Sequence, residues 1–197
     1  MYNKPEFLTA VDFLGKISQQ DVISASLKTA IASGAAVLKP AEHFTRKVMS
    51  GASGITHIIS NETESRQGIS TIDKGKFPTT EMFIANAIAI KFGQAESIGG
   101  CAFDKKAPTA LRNAELEIMQ GGRQVYRAPV ASLINEYTGA KIDDDFHNLG
   151  GLIYLGDDYE FTASLHFADG SSIAAADAGV ENIVEIRMRG YKTAKRL

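Results

Sequence analysis

The fold is decided by two stretches of the sequence, EMFIANAIAIKF (residues 81–92) and YEFTASLHF (residues 159–167). In the first stretch, large apolar side chains recur at even positions and define one predicted strand face: Met82, Ile84, Ile88, Ile90 and Phe92. In the second stretch, alternate positions separate an apolar face from a polar one: Tyr159, Phe161, Ala163, Leu165 and Phe167 against Glu160, Thr162, Ser164 and His166. A strand points successive side chains to opposite faces, so this period of two predicts half-buried sheets that pack face to face.

Two hairpins are predicted in the same half of the chain. Residues 111–119 alternate apolar and polar side chains, and a Gly121-Gly122 pair separates them from a return strand at residues 124–130. Both glycines can take positive φ, which is typical of a tight hairpin turn. A second hairpin is predicted from residues 152–155 to the strand at residues 159–167, around the turn Gly156-Asp157-Asp158. The remaining strand signals lie at residues 35–49, where Pro40 indicates an edge or a break, at residues 55–59 and at residues 184–188.

One helix is predicted near the N-terminus. Ser18 and Asp21 have the spacing of a capping box, apolar residues then recur at helical spacing, and Gly34 provides a stop. We therefore predict a helix near residues 19–33. Such a helix is too short to be stable alone, so its apolar stripe has to dock on something.

These elements together predict an all-β fold with an N-terminal α-helix. About eight strands with several long connections favour a two-sheet antiparallel sandwich of jelly-roll or Greek-key type. Strands do not alternate with helices, and no long repeat is visible, which argues against doubly wound, propeller and solenoid folds. We interpret residues 1–34 as an N-terminal helical arm and residues 35–197 as a single jelly-roll sandwich domain.

Composition limits the classes of function. The net charge of −2 gives no global attraction to nucleic acid, so any polyanion contact must be local. The single cysteine, Cys101, permits no intrachain disulfide. The first residues lack the apolar run of a signal peptide, and no stretch reaches the length of a membrane span, so we expect synthesis in a cytoplasm.

No catalytic or metal-binding motif stands out, and we predict neither an enzyme nor a bound cofactor. The stretch around Ser53 (GASGI, residues 51–55) resembles a nucleophile elbow but lacks its second glycine. The four histidines are scattered along the chain: His43, His57, His147 and His166. Two aspartate runs, Asp143-Asp144-Asp145 and Asp157-Asp158, carry oxygens that suit a hard cation, although aspartates of this kind also form turns. The sequence leaves both interpretations open.

The one concentrated basic feature is the C-terminus, with five cations within ten residues: Arg187, Arg189, Lys192, Lys195 and Arg196. Local positive charge attracts phosphate groups of nucleic acid or of lipid headgroups. Tyr191 is the one aromatic residue among them, so base stacking has little support. We treat these residues as a candidate contact for nucleic acid or membrane; the alternative is a solvated strand end and tail.

The chain resembles the jelly-roll coat proteins of tailless icosahedral bacteriophages. The resemblance lies in three stretches: ALRNAELEIMQGGRQVYRAPVASL (residues 110–133), YLGDDYEFTASLHFADG (residues 154–170) and ENIVEIRMRGYKTAKRL (residues 181–197). It implies a non-catalytic, self-assembling capsid subunit of a virion, whose partners are copies of itself and other shell proteins. It also implies that the basic C-terminus faces enclosed nucleic acid or an internal membrane. Many such coat proteins contain two jelly rolls, and this chain has room for one.

Two other classes of function stay open on the sequence alone. A carbohydrate- or ligand-binding sandwich would normally display aromatic platforms, but the chain has no tryptophan and six tyrosines. An enzyme on the same scaffold, such as a cupin-like isomerase, would need distant histidine and aspartate residues to converge.

Overall fold

The chain forms two four-stranded antiparallel sheets and an N-terminal helical layer. This computed structural model describes residues 4–20, 23–135 and 145–195. Within them lie eight strands: β1 (Ala36–Val48), β2 (Ile55–Ile59), β3 (Phe83–Ala95), β4 (Glu115–Gln120), β5 (Arg123–Pro129), β6 (His147–Leu155), β7 (Phe161–His166) and β8 (Glu181–Lys195). The α-helices in these ranges are α1 (Lys4–Ser18), α2 (Ala25–Ala32) and the single turn α3 (Thr109–Arg112). The predicted mostly-β sandwich with an N-terminal helix is therefore confirmed.

The strand pairs are nested along the chain, and the innermost pair is the β4–β5 hairpin. The first sheet has the order β1-β8-β3-β6 and the second the order β2-β7-β4-β5. Antiparallel pairs join the first strand to the eighth, the second to the seventh, the third to the sixth and the fourth to the fifth. The innermost pair turns at Gly121 and Gly122, both with positive φ, so the predicted β4–β5 hairpin is confirmed.

The second predicted hairpin is wrong. β6 pairs with β3 in the first sheet, whereas β7 lies between β2 and β4 in the second. The turn at residues 156–158 therefore carries the chain from one sheet to the other. Alternation on both sides of a short turn indicates two strands but cannot show whether they pair with each other. Tyr159, predicted on the apolar face, precedes β7 and is 47% exposed.

The core between the sheets combines aromatic and branched side chains. The rings of Phe77 and Phe161 stack with centroids 5.4 Å apart, and Phe77 also contacts Phe83. Fully buried residues of both sheets complete the core, among them Ile88, Ile90, Leu116, Ile118, Leu165, Val184, Ile186 and Met188. The period-two pattern thus buries one face of each sheet, as predicted.

A β-bulge in β3 divides that strand between two cores. The register of β3 against both of its neighbours shifts between Ala85 and Ala87. Asn86 is the extra residue, and it reverses which side chains point inward. Met82 and Ile84 consequently pack against the helices, whereas Ile88, Ile90 and Phe92 pack between the sheets. The prediction that all five share one face is therefore wrong.

Gly190 in β8 makes room for this bulge. A Cβ atom at Gly190 would lie 1.9 Å from the carbonyl oxygen of Ile84 and 2.8 Å from Cα of Ala85. Both contacts are to backbone, which cannot rotate away. The close approach of β3 and β8 at this point therefore requires glycine.

The helical layer covers part of the outer face of the first sheet. Apolar side chains of both helices and of the link between them form a second core with the start of β3 and the residue before it: Leu14, Ile17, Ile23, Leu27, Met82 and Ile84. The predicted helix exists as α2, but its start is wrong, because Ser24 is the N-cap and accepts a hydrogen bond from the backbone N–H of Leu27. Ser18 ends α1 instead of capping α2. The sequence analysis missed α1, whose Pro5 lies in the first turn, where a missing N–H costs nothing.

Several element boundaries also differ from the predictions. β3 extends to Ala95, beyond the predicted stretch at residues 81–92, and β6 begins at His147, before the predicted strand at residues 152–155. Leu111 lies in α3 and not in a strand. The predictions for residues 1–3, 21–22, 136–144 and 196–197 lie outside the described residues.

We predict that Gly190→Ala destabilises the fold because the new methyl group collides with the backbone of the bulge. Overpacking of this kind typically costs about 1–3 kcal/mol in the free energy of unfolding. Gly151→Ala in β6 is the matched control, since a Cβ there has open space and the residue's φ is not positive. Urea unfolding of both variants measures the difference, and equal stability would contradict this account of the bulge.

Candidate functional site

Four of the five predicted basic residues lie in β8, and two of them, Arg187 and Arg189, lie on the part of the first sheet that the helices leave open. Alternation along β8 points Arg187 and Arg189 outward, and their register partners in β3 are Ala89 and Ala87. We call this surface the charged face, and it consists of Glu42, Arg46, Lys91, Asp145, Phe146, Glu185, Arg187 and Arg189.

Ion pairs within the chain compensate most of this positive charge. A guanidinium nitrogen of Arg187 lies 2.5 Å from Glu42 Oε1 and another lies 3.9 Å from Asp145 Oδ2. Arg46 Nε donates a hydrogen bond of 2.6 Å to the buried carboxylate of Glu185. Without Arg46, the carboxylate of Glu185 would be a buried charge with no partner, which destabilises the folded state. The Arg46–Glu185 pair is therefore part of the folded structure. We infer that the charged face is held together by its own pairs.

An aromatic side chain covers the centre of the charged face. Phe146 packs on Ala87 and Ala89, whose small side chains leave room for the ring. The guanidinium carbons of Arg187 and Arg189 lie 4.9 Å and 4.3 Å from the centre of that ring. These cation–π contacts and the ion pairs engage the two arginines within the chain.

The two lysines of the predicted cluster lie at the other end of β8. Lys192 stands opposite Lys39 of β1, and its Nζ is 3.5 Å from Glu81 Oε2. Lys195 is exposed at the end of the strand, and Arg196 lies outside the described residues. The four described basic residues therefore do not form one patch. Their role in binding nucleic acid or membrane stays a prediction.

The two aspartate runs have protein partners where the structure describes them. Asp145 Oδ2 accepts a hydrogen bond of 2.5 Å from Lys91 Nζ, while Asp143 and Asp144 lie outside the described residues. Asp157 is fully buried and Asp158 accepts a hydrogen bond of 2.7 Å from the Thr79 hydroxyl. Cation binding by either run stays a prediction.

The side chain of Asp157 connects its own turn to the start of α2 and to the segment that precedes β3. Its carboxylate accepts hydrogen bonds from the backbone N–H of Ser24 at 3.0 Å, the Ser24 hydroxyl at 2.5 Å and the backbone N–H of Thr80 at 2.8 Å. Ser24 in turn caps α2, so the turn between the sheets holds the helical layer in place. The negative charge also lies at the favourable end of the α2 dipole.

His43 faces the core at one end of the sandwich. Its ring lies 4.9 Å from the ring of Phe77 and 4.8 Å from that of Phe83, centre to centre. Its Nδ1 is 3.2 Å from the Thr71 hydroxyl, whereas its Nε2 is buried without a hydrogen-bond partner. Burial, together with the nearby positive charge of Lys192, lowers the pKa of His43 to about 4. The ring is therefore neutral at physiological pH.

A serine–histidine contact that the sequence analysis missed lies on the outer face of the second sheet. His57 Nδ1 is 2.7 Å from the hydroxyl oxygen of the buried Ser164. In the same sheet, His166 Nε2 lies 3.0 Å from Glu117 Oε2, off the line that a hydrogen bond requires. The register in which His57 pairs with Ser164 and Ser164 with Glu117 brings these groups together, and no spacing along the chain could have revealed it.

The strand that carries Ser164 offers no spare backbone donors beside this contact. β7 is paired on both sides, so its backbone N–H groups are used by the sheet ladders and cannot form an oxyanion hole. Ser53, the other candidate nucleophile, lies in the β1–β2 loop opposite Ser172. Among the described residues, no three histidine, cysteine, aspartate or glutamate side chains are placed to hold a metal ion.

Comparison of the chain with protein-family models, with curated proteins and with solved structures found no match. None of the described helices combines the length and apolar character needed to cross a membrane.

We predict that His43 makes the protein less stable in mild acid. The unfolded chain binds a proton at this ring with a pKa of 6.5, whereas the folded chain does so only near 4. Stability is therefore greatest above the unfolded pKa, falls as the pH drops between the two values, and loses roughly 3 kcal/mol at most from this group.

The measurement is urea unfolding of the wild type and of His43→Leu at pH 7 and at about pH 4.5. The variant should lose less stability between the two pH values than the wild type does. His147→Gln is the control, because His147 is exposed and its loss should leave the pH dependence unchanged. An identical acid loss in wild type and His43→Leu would contradict the assignment.

Proposed function

We propose that this protein is a self-assembling structural subunit of a viral shell, built on a jelly-roll sandwich. The observation that carries the proposal is the nested pairing of its eight strands. A jelly roll arises when a long antiparallel hairpin wraps into two sheets, and it is a common fold of viral capsid domains. Pairing of β1 with β8, β2 with β7, β3 with β6 and β4 with β5 is what such wrapping produces.

The chemistry of the described side chains supports a structural role. The buried acid Asp157 joins elements of the fold, and the carboxylate of Glu185 is neutralised by Arg46. The Ser164–His57 contact lies in a fully paired region of sheet. These polar groups contact one another within the fold, which suits a shell component.

The same proposal assigns a role to the basic end of β8. Lys192 and Lys195, with Arg196 beyond them, face enclosed nucleic acid or an internal membrane. Arg187 and Arg189 contribute less to that contact, because Glu42 and Phe146 engage them within the chain. The subunit would reside in the virion after synthesis in the host cytoplasm.

We predict that the purified protein forms closed particles or regular oligomers. Size-exclusion chromatography followed by electron microscopy tests this directly, because a shell subunit has to associate with copies of itself. A strictly monomeric protein that binds immobilised glycans would contradict the proposal and favour a carbohydrate-binding module. A monomer with a tightly held metal would favour an enzyme.

We predict that neutralising Lys192, Lys195 and Arg196 to glutamine weakens contact with the contents of the particle without unfolding the subunit. Fewer cations release fewer counterions, so binding should be weaker and less dependent on salt. The matched control replaces three exposed lysines elsewhere in the chain with glutamine: Lys76, Lys105 and Lys106. Nucleic acid and phospholipid in the purified particles are measured. Unaltered contents in the first variant would remove this role for the basic end of β8.

A further inference from the structure

The ion pair between Lys91 and Asp145 on the charged face is closer and less exposed than the surface pair of α1. Lys91 Nζ lies 2.5 Å from Asp145 Oδ2, and the two side chains are 23% and 22% exposed. In α1, Lys16 and Asp12 are 2.8 Å apart and mostly exposed. The carboxyl carbon of Asp145 is one bond beyond Oδ2, and reacting groups combine from separations of about 3–3.5 Å. The pair therefore holds an amine beside a carboxyl carbon.

The fold fixes both members of this pair. Lys91 lies in β3, which is paired with β8 along its length. Asp145 precedes Phe146, whose ring packs on Ala87 and Ala89 of the same strand. Well-oriented groups on one molecule reach effective molarities of roughly 10⁵–10⁸ M, which favours condensation even in water.

The rest of the charged face stays balanced if this pair loses both of its charges. Arg46 donates its hydrogen bond to Glu185, and Arg187 donates hydrogen bonds to Glu42. The contact of Arg187 with Asp145 is longer, at 3.9 Å. Removing one positive and one negative charge together therefore leaves each of these arginines with a carboxylate.

We propose that Lys91 and Asp145 condense into an intramolecular isopeptide bond. A proton passes from the Lys91 ammonium to Asp145 Oδ2 along their hydrogen bond, which leaves a neutral amine beside a carboxylic acid. The Nζ–Cγ bond forms and one Cγ–O bond breaks. The departing oxygen leaves as water with two of the three Nζ protons. An amide replaces an ammonium and a carboxylate, and nothing is oxidised or reduced.

Glu185 is placed to carry the second proton from Nζ to the departing oxygen. It is the register partner of Lys91, so both side chains project from the same face of the sheet. Its side chain is 5% exposed, and Oε2 accepts the hydrogen bond from Arg46. Arg187 spans the two carboxylates, with one nitrogen 3.9 Å from Glu185 Oε1 and another 3.9 Å from Asp145 Oδ2. The carboxylate of Glu185 therefore lies beside the reacting pair.

The bond would join β3 to the segment that precedes β6. The two residues are 54 positions apart, and the β4–β5 hairpin lies between them. Closing a loop of this length restricts the unfolded chain, so the cross-link stabilises the folded subunit. This role is independent of the proposed shell.

Mass spectrometry of the denatured wild-type protein tests the bond directly. We expect a mass lower than that of the sequence by one water, and protease fragments in which the Lys91 peptide is joined to the Asp145 peptide. The full mass would overturn the inference. A water lost at Asp169-Gly170, by closure of a succinimide, would also overturn it if no joined fragments were found.

Substitutions identify the reacting residues. Lys91→Arg and Asp145→Ala should each restore the full mass, because one lacks the amine and the other the carboxyl group. Lys105→Arg is the matched control, since Lys105 is exposed in the neighbouring loop and its variant should still lose one water. Loss of water from Lys91→Arg would overturn the assignment.

The role of Glu185 is tested by the rate at which the bond forms. Glu185→Gln retains an oxygen that can accept the Arg46 hydrogen bond but cannot carry a proton. Samples taken during cell-free synthesis should show bond formation about 100-fold slower than in the wild type. Circular dichroism checks that the variant is folded. An equal rate in a folded variant would overturn the role of Glu185.

The two proposals fail in different ways. Particles built from subunits of full mass would refute the isopeptide bond and leave the shell function standing. A cross-linked protein that stays monomeric would support the bond and refute the shell.

Discussion

The structure depends on the close backbone approach between the bulge at Asn86 and Gly190. The extra residue in β3 reverses its facing, so one strand supplies Met82 and Ile84 to the helical layer and its later residues to the core between the sheets. At the bulge the backbone of β3 lies so close to β8 that only glycine fits there, and Gly190 occupies this position. The helical layer and the sandwich therefore share side chains of one strand, and residues of β1 and β6 also pack against the helices.

The turn at Asp157 is a second point at which the helical layer is attached to the sandwich. It carries the chain between the two sheets, and its buried carboxylate holds Ser24 at the start of α2. A buried charge needs several donors to be tolerated, and Asp157 has three. The helical layer is thus anchored by apolar packing at β3 and by hydrogen bonds at this turn. These contacts hold the helices on the outer face of the first sheet.

On the charged face, strand pairing places acidic and aromatic residues beside a run of basic residues that is distant from them in the sequence. Arg187 and Arg189 belong to a basic run when the chain is read in order, but β1 places Glu42 beside that run and the segment before β6 brings Asp145 and Phe146 onto it. Contacts within the subunit therefore compensate most of the positive charge of Arg187 and Arg189. At the other end of β8, Lys192 Nζ is 3.5 Å from Glu81 Oε2 and Lys195 is exposed.

The sequence by itself determined the fold class, the β4–β5 hairpin and the buried faces of most strands, because period-two alternation and the Gly121-Gly122 pair are local properties of a strand and a turn. It also determined where the cations lie along the chain. Only the tertiary structure decided the partners of β6 and β7, the change of face at Asn86, the Ser164–His57 contact and the pairing of the arginines. Each of these joins residues that are distant in the chain, and strand register, which no local pattern encodes, brings them together.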